Sequence, residues 1–438
     1  ACTEAADECR RLADLVARAA GLYADAERTA RDAVNQGVRA MALLAPQSVA
    51  LTALVAAVAG GTISGLKEGT GFSPIGASRA TAWMQEGVLA AIGSAALGAG
   101  TGTNSLLSIL AAGVTRSDGT GTDVNQGLVG LAPWVAAYGD LKQGDHLTLT
   151  QVDTGETGPV GAAGGVADAL HGLRLLGEAN GLEEDGLSYA TIAISRYDRP
   201  DGSHGWLVTI PGTDGHADSP FGWSQNGEAM SGDADQRQRA DSVRMVVAAM
   251  EGAGIGADEP VALVGHSQGG IVAAAVAADC TDRFRVEHVV TAGSPVAGHP
   301  IGADTWVTSV EMEDELVAAL DGASNPASES WLTVRGAVTD SDADDRLLSG
   351  AVVPDAIDGN EFTHYMKYHE AAWANASDLG SPAVTGHEEH FRSCLAATYA
   401  GTTYWQGRMG RGGTGLTVAG ADASAGAAAP DVEADAGP

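Results

Sequence analysis

The residues with the clearest chemical potential surround Ser267, where the segment GHSQG at 265–269 fits the pattern G-x-S-x-G. An apolar run, VALV at 261–264, leads into the pattern, and an Ala- and Val-rich run leads out of it. This order of strand, tight turn and helix lifts a serine hydroxyl above the end of a sheet. The hydroxyl becomes a good nucleophile only when a base removes its proton. We therefore predict that Ser267 is a catalytic serine; the alternative is a glycine-rich turn that binds phosphate or packs tightly.

The prediction for Ser267 depends on the strand and the helix that flank it, because the five-residue pattern alone is weak evidence in this chain. Glycine accounts for 60 of the 438 residues, about twice its usual share of ~7%. Patterns built on glycine therefore arise easily by chance, whereas a strand and a helix on the correct sides of the serine do not.

A serine of this kind needs an acid and then a histidine from later in the chain. The strand predicted at Trp306 to Met312 is followed by the acidic segment EDE at 313–315. Asp314 lies just past the end of this strand and is the predicted acid, with Glu313 and Asp321 as alternatives. A surface cluster of solvated carboxylates is the competing interpretation.

Two histidines in the segment EFTHYMKYHE at 361–370 are candidates for the base. We predict that His364 is the base. His369 is the alternative, although a histidine on an aromatic-rich helix usually serves packing.

Two backbone N–H groups must stabilise the oxyanion of a tetrahedral intermediate. One belongs to the residue after the nucleophile, Gln268. The segment LVTIPGTD at 207–214 reads as a strand that runs into a glycine turn, and Thr213 is the predicted second donor. The alternative for Thr213 is a plain turn at the end of a strand.

Metal and disulfide chemistry receive little support from the sequence. His387 and His390 lack the i, i+4 spacing of a zinc-binding H-E-x-x-H helix and have no third ligand nearby in the sequence. We predict a solvated helix end there and no metal or organic cofactor. Cys280 and Cys394 could form a disulfide only if the fold brings them together.

The order of the predicted strands and helices around these residues indicates an α/β fold. Strands and helices alternate from residue 141 onward, with a helix at Asp235 to Glu251 before the central strand, and this alternation favours a mostly parallel sheet flanked by helices. Residues 4–39 predict an amphipathic helix that needs a partner. The predicted organisation is a helical region at 1–140, a catalytic domain at 141–410 and a disordered acidic tail at 411–438.

Charge and hydropathy exclude several classes of partner. The chain has 24 basic and 56 acidic residues, a formal net charge of −32, and such a surface repels nucleic acids and anionic lipids. The segments 40–66 and 87–115 carry no charged residue. Polar and glycine residues dilute both segments, so we predict buried Ala/Gly helices, or a cover over the site, rather than membrane spans.

Four segments together resemble a known family: IPGT at 210–213, GHSQG at 265–269, AGSP at 292–295 and the region of Asp314. They resemble the class 3 lipase-like serine esterases of the α/β-hydrolase superfamily over about residues 185–400. More closely, the chain looks like actinobacterial α/β-hydrolases with an N-terminal helical region. The resemblance implies an α/β-hydrolase fold and ester hydrolysis through an acyl-enzyme without a cofactor. It also implies a triad and an oxyanion hole made of Ser267, Asp314, His364, Thr213 and Gln268.

The sequence therefore predicts a serine esterase or lipase acting on a small-molecule or lipid ester. The alternatives are a non-catalytic binding module with a hydrolase fold and an exported membrane-acting effector. Tyr23 and Glu27 form a Y-x-x-x-E pair that resembles the secretion tag of helical type VII export substrates, or belongs to an ordinary helix face. We expect a secreted or cell-envelope location rather than a cytoplasmic one, and a helical partner for residues 1–140.

Overall fold

Among the described residues, the N-terminal region begins with three helices. In the computed structural model, the described residues are 2–44, 46–69, 71–89, 125, 145–154, 158–183, 186–313, 315–339, 346–348, 350–353, 361–396, 398–410 and 415–419. Helices α1 (Cys2–Leu44), α2 (Pro46–Glu68) and α3 (Pro74–Thr81) are followed by a short 3-10 turn at Ala82–Met84. The helix predicted at 4–39 is confirmed and extends to Leu44.

Helix α2 packs on α3 through small residues, while most of its larger described side chains are exposed, Val49 being buried. A Cβ atom at Gly60 would lie 2.6 Å from the carbonyl oxygen of Gly76, so the two helix backbones are in close contact. The expectation of a buried helix at 40–66 is wrong for many of its large side chains, because those of Leu44, Leu51, Leu54, Val55, Ile63 and Leu66, among others, are more than half exposed. Within the described part of the chain, no helix is both long enough and apolar enough to cross a membrane.

A nine-stranded sheet forms the centre of the remaining chain, in the order β12-β1-β11-β2-β3-β4-β5-β6-β7. Strands β3 to β7 run parallel to one another, whereas β1, β11, β2 and β3 pair antiparallel. The strands are β1 (His146–Val152), β2 (Thr191–Asp198), β3 (His204–Ile210), β4 (Pro260–His266), β5 (Arg285–Ala292), β6 (Trp306–Met312), β7 (Trp331–Gly336), β11 (Thr398–Gly410) and β12 (Gly415–Ala419). A small second sheet contains β8 (Val338–Thr339), β9 (Arg346–Leu348) and β10 (Ala351–Val353).

Helices cover both faces of the large sheet. They are α4 (Val166–Leu182), α5 (Trp223–Ala229), α6 (Ala234–Arg239), α7 (Asp241–Gly252), α8 (Gln268–Asp279), α9 (Met366–Leu379) and α10 (Pro382–Cys394). Neighbouring residues of one strand enter different cores, since side chains alternate between the two faces of a sheet. Val208 packs with α7 and α8, whereas Leu207 packs with α4, α9 and α10. The predicted mostly parallel α/β architecture is confirmed.

Two segments differ from the prediction. The helix expected at Asp235 to Glu251 is interrupted at Ala240, whose ψ of 129° is extended. Gln225 there accepts a hydrogen bond from the N–H of Asp241 at 2.6 Å, which satisfies the first donor of a new helix. The tail predicted to be disordered contributes β12, because the alternating segment Gly415–Ala419 pairs in parallel with β1. The rest of the predicted tail lies outside the described residues.

Candidate active site

Ser267 lies at the sharp turn between β4 and α8. Its φ of 53° and ψ of −120° are unusual for a residue with a side chain, and such a conformation costs on the order of 1–3 kcal/mol. It persists because the surrounding structure fixes the turn. The N–H of Ser267 donates to the carbonyl of Ala292 at 2.9 Å, which ties the turn to the end of β5.

Two glycines allow this turn to lie against the neighbouring backbone. A Cβ atom at Gly269 would overlap the carbonyl of Ile210 and lie 2.6 Å from that of Pro211. A Cβ atom at Gly265 would lie 2.5 Å from the backbone nitrogen of Gly270. The glycines of the G-x-S-x-G pattern are therefore required by close packing, Gly269 against the end of β3 and Gly265 against the first residues of α8.

His364 and Glu315 form a hydrogen-bonded pair near the same end of the sheet. Nδ1 of His364, in the loop before α9, lies 2.5 Å from Oε2 of Glu315, which follows β6. The other oxygen, Oε1, lies 3.4 Å from Nε2 of His369 on α9. Burial alone would raise the pKa of Glu315, but the two imidazoles outweigh it and lower the pKa to about 2. Glu315 is therefore an ionised, buried acceptor at neutral pH, and it holds His364 through Nδ1.

The acid predicted from the sequence, Asp314, lies outside the described residues, and the carboxylate that meets His364 belongs to the next residue. The two described alternatives are engaged elsewhere. Glu313 accepts a hydrogen bond from Arg31 of α1 at 2.7 Å. Asp321 is buried and accepts from the backbone N–H of Ala297 at 2.7 Å, and burial raises its pKa to about 8.

Glu315 is the site residue that sequence reasoning missed. Glu315 belongs to the acidic segment at 313–315 that also contains the predicted Asp314, so the cluster of carboxylates after β6 identifies the correct segment. The choice within that segment depends on the direction of each side chain where β6 ends, and spacing does not specify that direction.

His364 lies beside the residue that precedes the nucleophile. Nε2 of His266 lies 2.8 Å from the carbonyl oxygen of His364, and the centroids of the two rings are 4.6 Å apart. Burial, followed by the neighbouring imidazoles of His364 and His369, lowers the pKa of His266 to about 3, so His266 is neutral and donates through Nε2. Gly293, with a φ of 59°, lies under the pair: a Cβ atom there would be 2.9 Å from Nδ1 of His364.

The Ser267 hydroxyl and the His364 ring are not hydrogen-bonded in the described part of the chain. Because Nδ1 of His364 is bound to Glu315, Nε2 is the ring nitrogen left to act as a base. Contacts of this kind are often long without substrate and tighten in the reacting complex.

Thr213 and Gln268 lie together next to the turn. Oγ1 of Thr213 is 3.5 Å from Oε1 of Gln268 and accepts a hydrogen bond from Asn226 at 3.0 Å. Gly212 brings this loop close to the nucleophile, since a Cβ atom there would lie 3.3 Å from Cβ of Ser267. Among the described residues, the backbone N–H groups of Thr213 and Gln268 have no hydrogen-bond acceptor. These two donors are therefore available to a ligand.

A cleft of about 360 Å³ opens beside His266 and Gly212. It separates α4 from the loop that carries His364 into α9. Its walls combine apolar and charged side chains: Leu173, Arg174, Glu178, Pro211, Glu361, Tyr365, Met366 and Lys367.

The segment from His387 to His390 is not a solvated helix end, so that expectation is wrong. His387 is buried and accepts a hydrogen bond from Thr308, and His390 stacks on the ring of Trp306. The fold also does not pair Cys280 with Cys394, which are both free and buried.

A model of a known protein family matches about the central third of the chain. Residues 228–375 match the family model described as PGAP1-like alpha/beta domain, a family of the α/β-hydrolase type. The fold of this chain is that of an α/β-hydrolase. The matched segment of this hydrolase fold includes β4, the turn at Ser267, Glu315 and His364. No curated protein and no solved structure matches the chain. The closer resemblance to class 3 lipase-like and actinobacterial hydrolases stays a prediction.

Proposed function

We propose that the protein is a serine hydrolase that cleaves carboxylic esters through an acyl-enzyme intermediate. The observation that supports this most strongly is the positive φ of Ser267 at a strand-to-helix turn, next to a histidine held by a buried carboxylate. In this proposal Ser267 is the nucleophile, His364 the base and Glu315 the orienting acid.

In the first half of the reaction, Nε2 of His364 removes the hydroxyl proton while Oγ of Ser267 attacks the ester carbonyl carbon. The N–H groups of Thr213 and Gln268 stabilise the oxyanion that develops on the carbonyl oxygen. The imidazolium of His364 then protonates the leaving alcohol. Glu315 stays ionised throughout and stabilises the imidazolium through Nδ1.

In the second half, water replaces the alcohol. His364 removes a proton from the water as the water attacks the acyl carbonyl, and the same two N–H groups stabilise the second oxyanion. Collapse of this intermediate breaks the bond to Oγ, releases the carboxylic acid and returns the proton to Ser267.

The cleft favours an ester with an apolar acyl or alcohol group. Leu173, Met366 and the ring of Tyr365 provide apolar wall close to the turn. The formal net charge of −32 disfavours a strongly anionic substrate. A small-molecule or lipid ester is the substrate class that fits both features.

A fluorophosphonate probe tests the proposal, because it forms a stable bond with an activated serine only. We expect the wild type and Ser203→Ala to be labelled and Ser267→Ala to remain unlabelled, with circular dichroism confirming that all three are folded. Ser203 lies in the turn between β2 and β3 and serves as the matched control. Folded wild-type protein that is not labelled would instead support a binding module without catalysis.

A further inference from the structure

Three potential metal ligands meet where α10 packs on β5. His390 and Cys394 have i, i+4 spacing and so occupy one face of α10, and His288 projects towards them from β5. One nitrogen of each histidine and the Cys394 sulfur all lie within 4.8 Å of one another. His288 and Cys394 are buried and His390 is half-buried. The sequence shows the His390–Cys394 pair but hides the third ligand, because more than 100 residues separate His288 from Cys394.

The ligand spacing is close to that of a tetrahedral zinc site. Zinc–nitrogen and zinc–sulfur bonds of about 2.05 and 2.3 Å imply a nitrogen–nitrogen edge of about 3.3 Å and a nitrogen–sulfur edge of about 3.6 Å. Nδ1 of His288 lies 3.1 Å from Nδ1 of His390. Nδ1 of His390 lies 4.0 Å from Sγ of Cys394. Shifts of a few tenths of an ångström would bring these two pairs of atoms to their edge lengths, and the third pair, a His288 nitrogen and the Cys394 sulfur, lies within 4.8 Å.

A chain of hydrogen bonds fixes which nitrogen of His288 carries the proton. The carbonyl of Glu329 can only accept, so it receives the Nε2 proton of His387 at 3.1 Å. Nδ1 of neutral His387 then accepts from the hydroxyl of Thr308 at 2.9 Å. The oxygen of Thr308 in turn accepts from Nε2 of His288 at 2.9 Å. Nδ1 of His288 is therefore left with its lone pair directed at His390.

This arrangement is the support that metal-binding histidines usually have, in which the nitrogen that does not bind the metal donates to a fixed acceptor. Trp306 stacks on His390 with ring centroids 4.4 Å apart and nearly parallel planes, and so limits rotation of that ligand.

We propose that His288, His390 and Cys394 bind a zinc-class divalent ion. Two imidazoles and one thiolate are ligands that zinc prefers over magnesium or calcium. Binding releases the Cys394 thiol proton to solvent as the sulfur–metal bond forms. The carboxylate of Glu287 lies beside the Cys394 thiol but does not belong to the group of three ligand atoms.

The position of this site assigns it a structural role. His288 precedes the end of β5 at Ala292 by four residues, or about 13 Å along the strand. The ion would therefore lie away from Ser267 and would fasten α10 to the central strands. This inference does not depend on the proposed esterase activity.

Cobalt titration of the full chain, stripped of metal with a chelator, tests the proposal. We expect one equivalent of Co²⁺ per chain to produce the visible bands of tetrahedral cobalt and a near-ultraviolet thiolate-to-metal band. One equivalent of Zn²⁺ should abolish both signals. Cys394→Ser should lose the thiolate band, while Cys280→Ser, which removes the other described buried thiol, should keep it.

A second variant tests the supporting hydrogen-bond chain without changing a ligand. Thr308→Val should weaken Zn²⁺ binding by about 10–100-fold. Cobalt bound without a thiolate band in the wild type would overturn the proposal, since weak binding to surface carboxylates gives none. A thiolate band that survives in folded Cys394→Ser would overturn it as well.

Discussion

Replacing Glu315 with glutamine tests the assignment of the catalytic acid most directly. The change removes the negative charge and leaves a side chain of nearly the same shape. Glutamine offers one acceptor oxygen and an NH₂ group in place of two acceptor oxygens. If the NH₂ group faces Nδ1 of His364, the ring is held in the wrong tautomer, and in either orientation the imidazolium loses its counter-charge.

The size of the effect follows from the pKa of Glu315. The drop from an ordinary 4.5 to about 2 is a net effect, in which attraction to the imidazoles of His369 and His364 outweighs burial, and it corresponds to about 3 kcal/mol. Glutamine cannot supply the part of this attraction that stabilises a charged His364, and we expect kcat/KM to fall by about 100-fold. A wrong tautomer brings the loss towards the ~10⁴-fold known for an amide in place of a triad carboxylate.

The assay is kcat/KM for a short-chain ester, together with the rate of fluorophosphonate labelling. We expect Glu315→Gln to lose at least about 100-fold in both, whereas Glu313→Gln, which affects only the contact with Arg31, stays within a few-fold. Asp314→Asn separates the two assignments of the acid. Nearly full activity in folded Glu315→Gln with a large loss in Asp314→Asn would refute the assignment of Glu315.

Three further predictions concern the framework of the site. Gly269→Ala should destabilise the fold by about 1–3 kcal/mol in denaturant unfolding and abolish probe labelling, because the added methyl overlaps the β3 backbone; a labelled variant of wild-type stability would contradict this. Asp321 holds its proton to about pH 8 when folded but releases it near its ordinary value when unfolded, so the free energy of unfolding falls as pH rises through this interval. Asp321→Asn should remove about 1 kcal/mol per pH unit of that slope, and an unchanged slope would contradict the assignment. Arg237→Ala should cost about 3–5 kcal/mol, because it leaves Asp279 buried without its partner, whereas Arg283→Ala, in an exposed pair, should cost under about 1 kcal/mol.

The sequence predicts best what depends on local pattern. Strand β6 has the predicted bounds, and the turn at Ser267 lies between the strand and helix expected for it. The turn combines a buried apolar run with glycines at fixed offsets, and both signals lie within a dozen residues.

The sequence predicts poorly what depends on contacts between distant segments. The break at Ala240 follows from a hydrogen bond that Gln225 supplies from another helix. The meeting of His288 with Cys394 requires α10 to fold back on β5. Strand β12 forms because β1 offers an unpaired edge to a short alternating segment, which composition alone marks as disordered.

The last strand gives the sheet an edge of five residues in place of the seven-residue edge that β1 would offer, and short edge strands pair less readily with other chains. Its five residues pair with β1 from His146 to Thr150, and the carbonyl of Gly415 accepts a hydrogen bond from Arg244. A chain shortened after residue 410 would lose a segment that resembles a dispensable tail and would leave β1 with a row of open backbone donors and acceptors. Such an edge recruits strands from other molecules. The shortened protein should therefore self-associate at concentrations where the full chain stays dispersed, even with the residues around Ser267 unaltered.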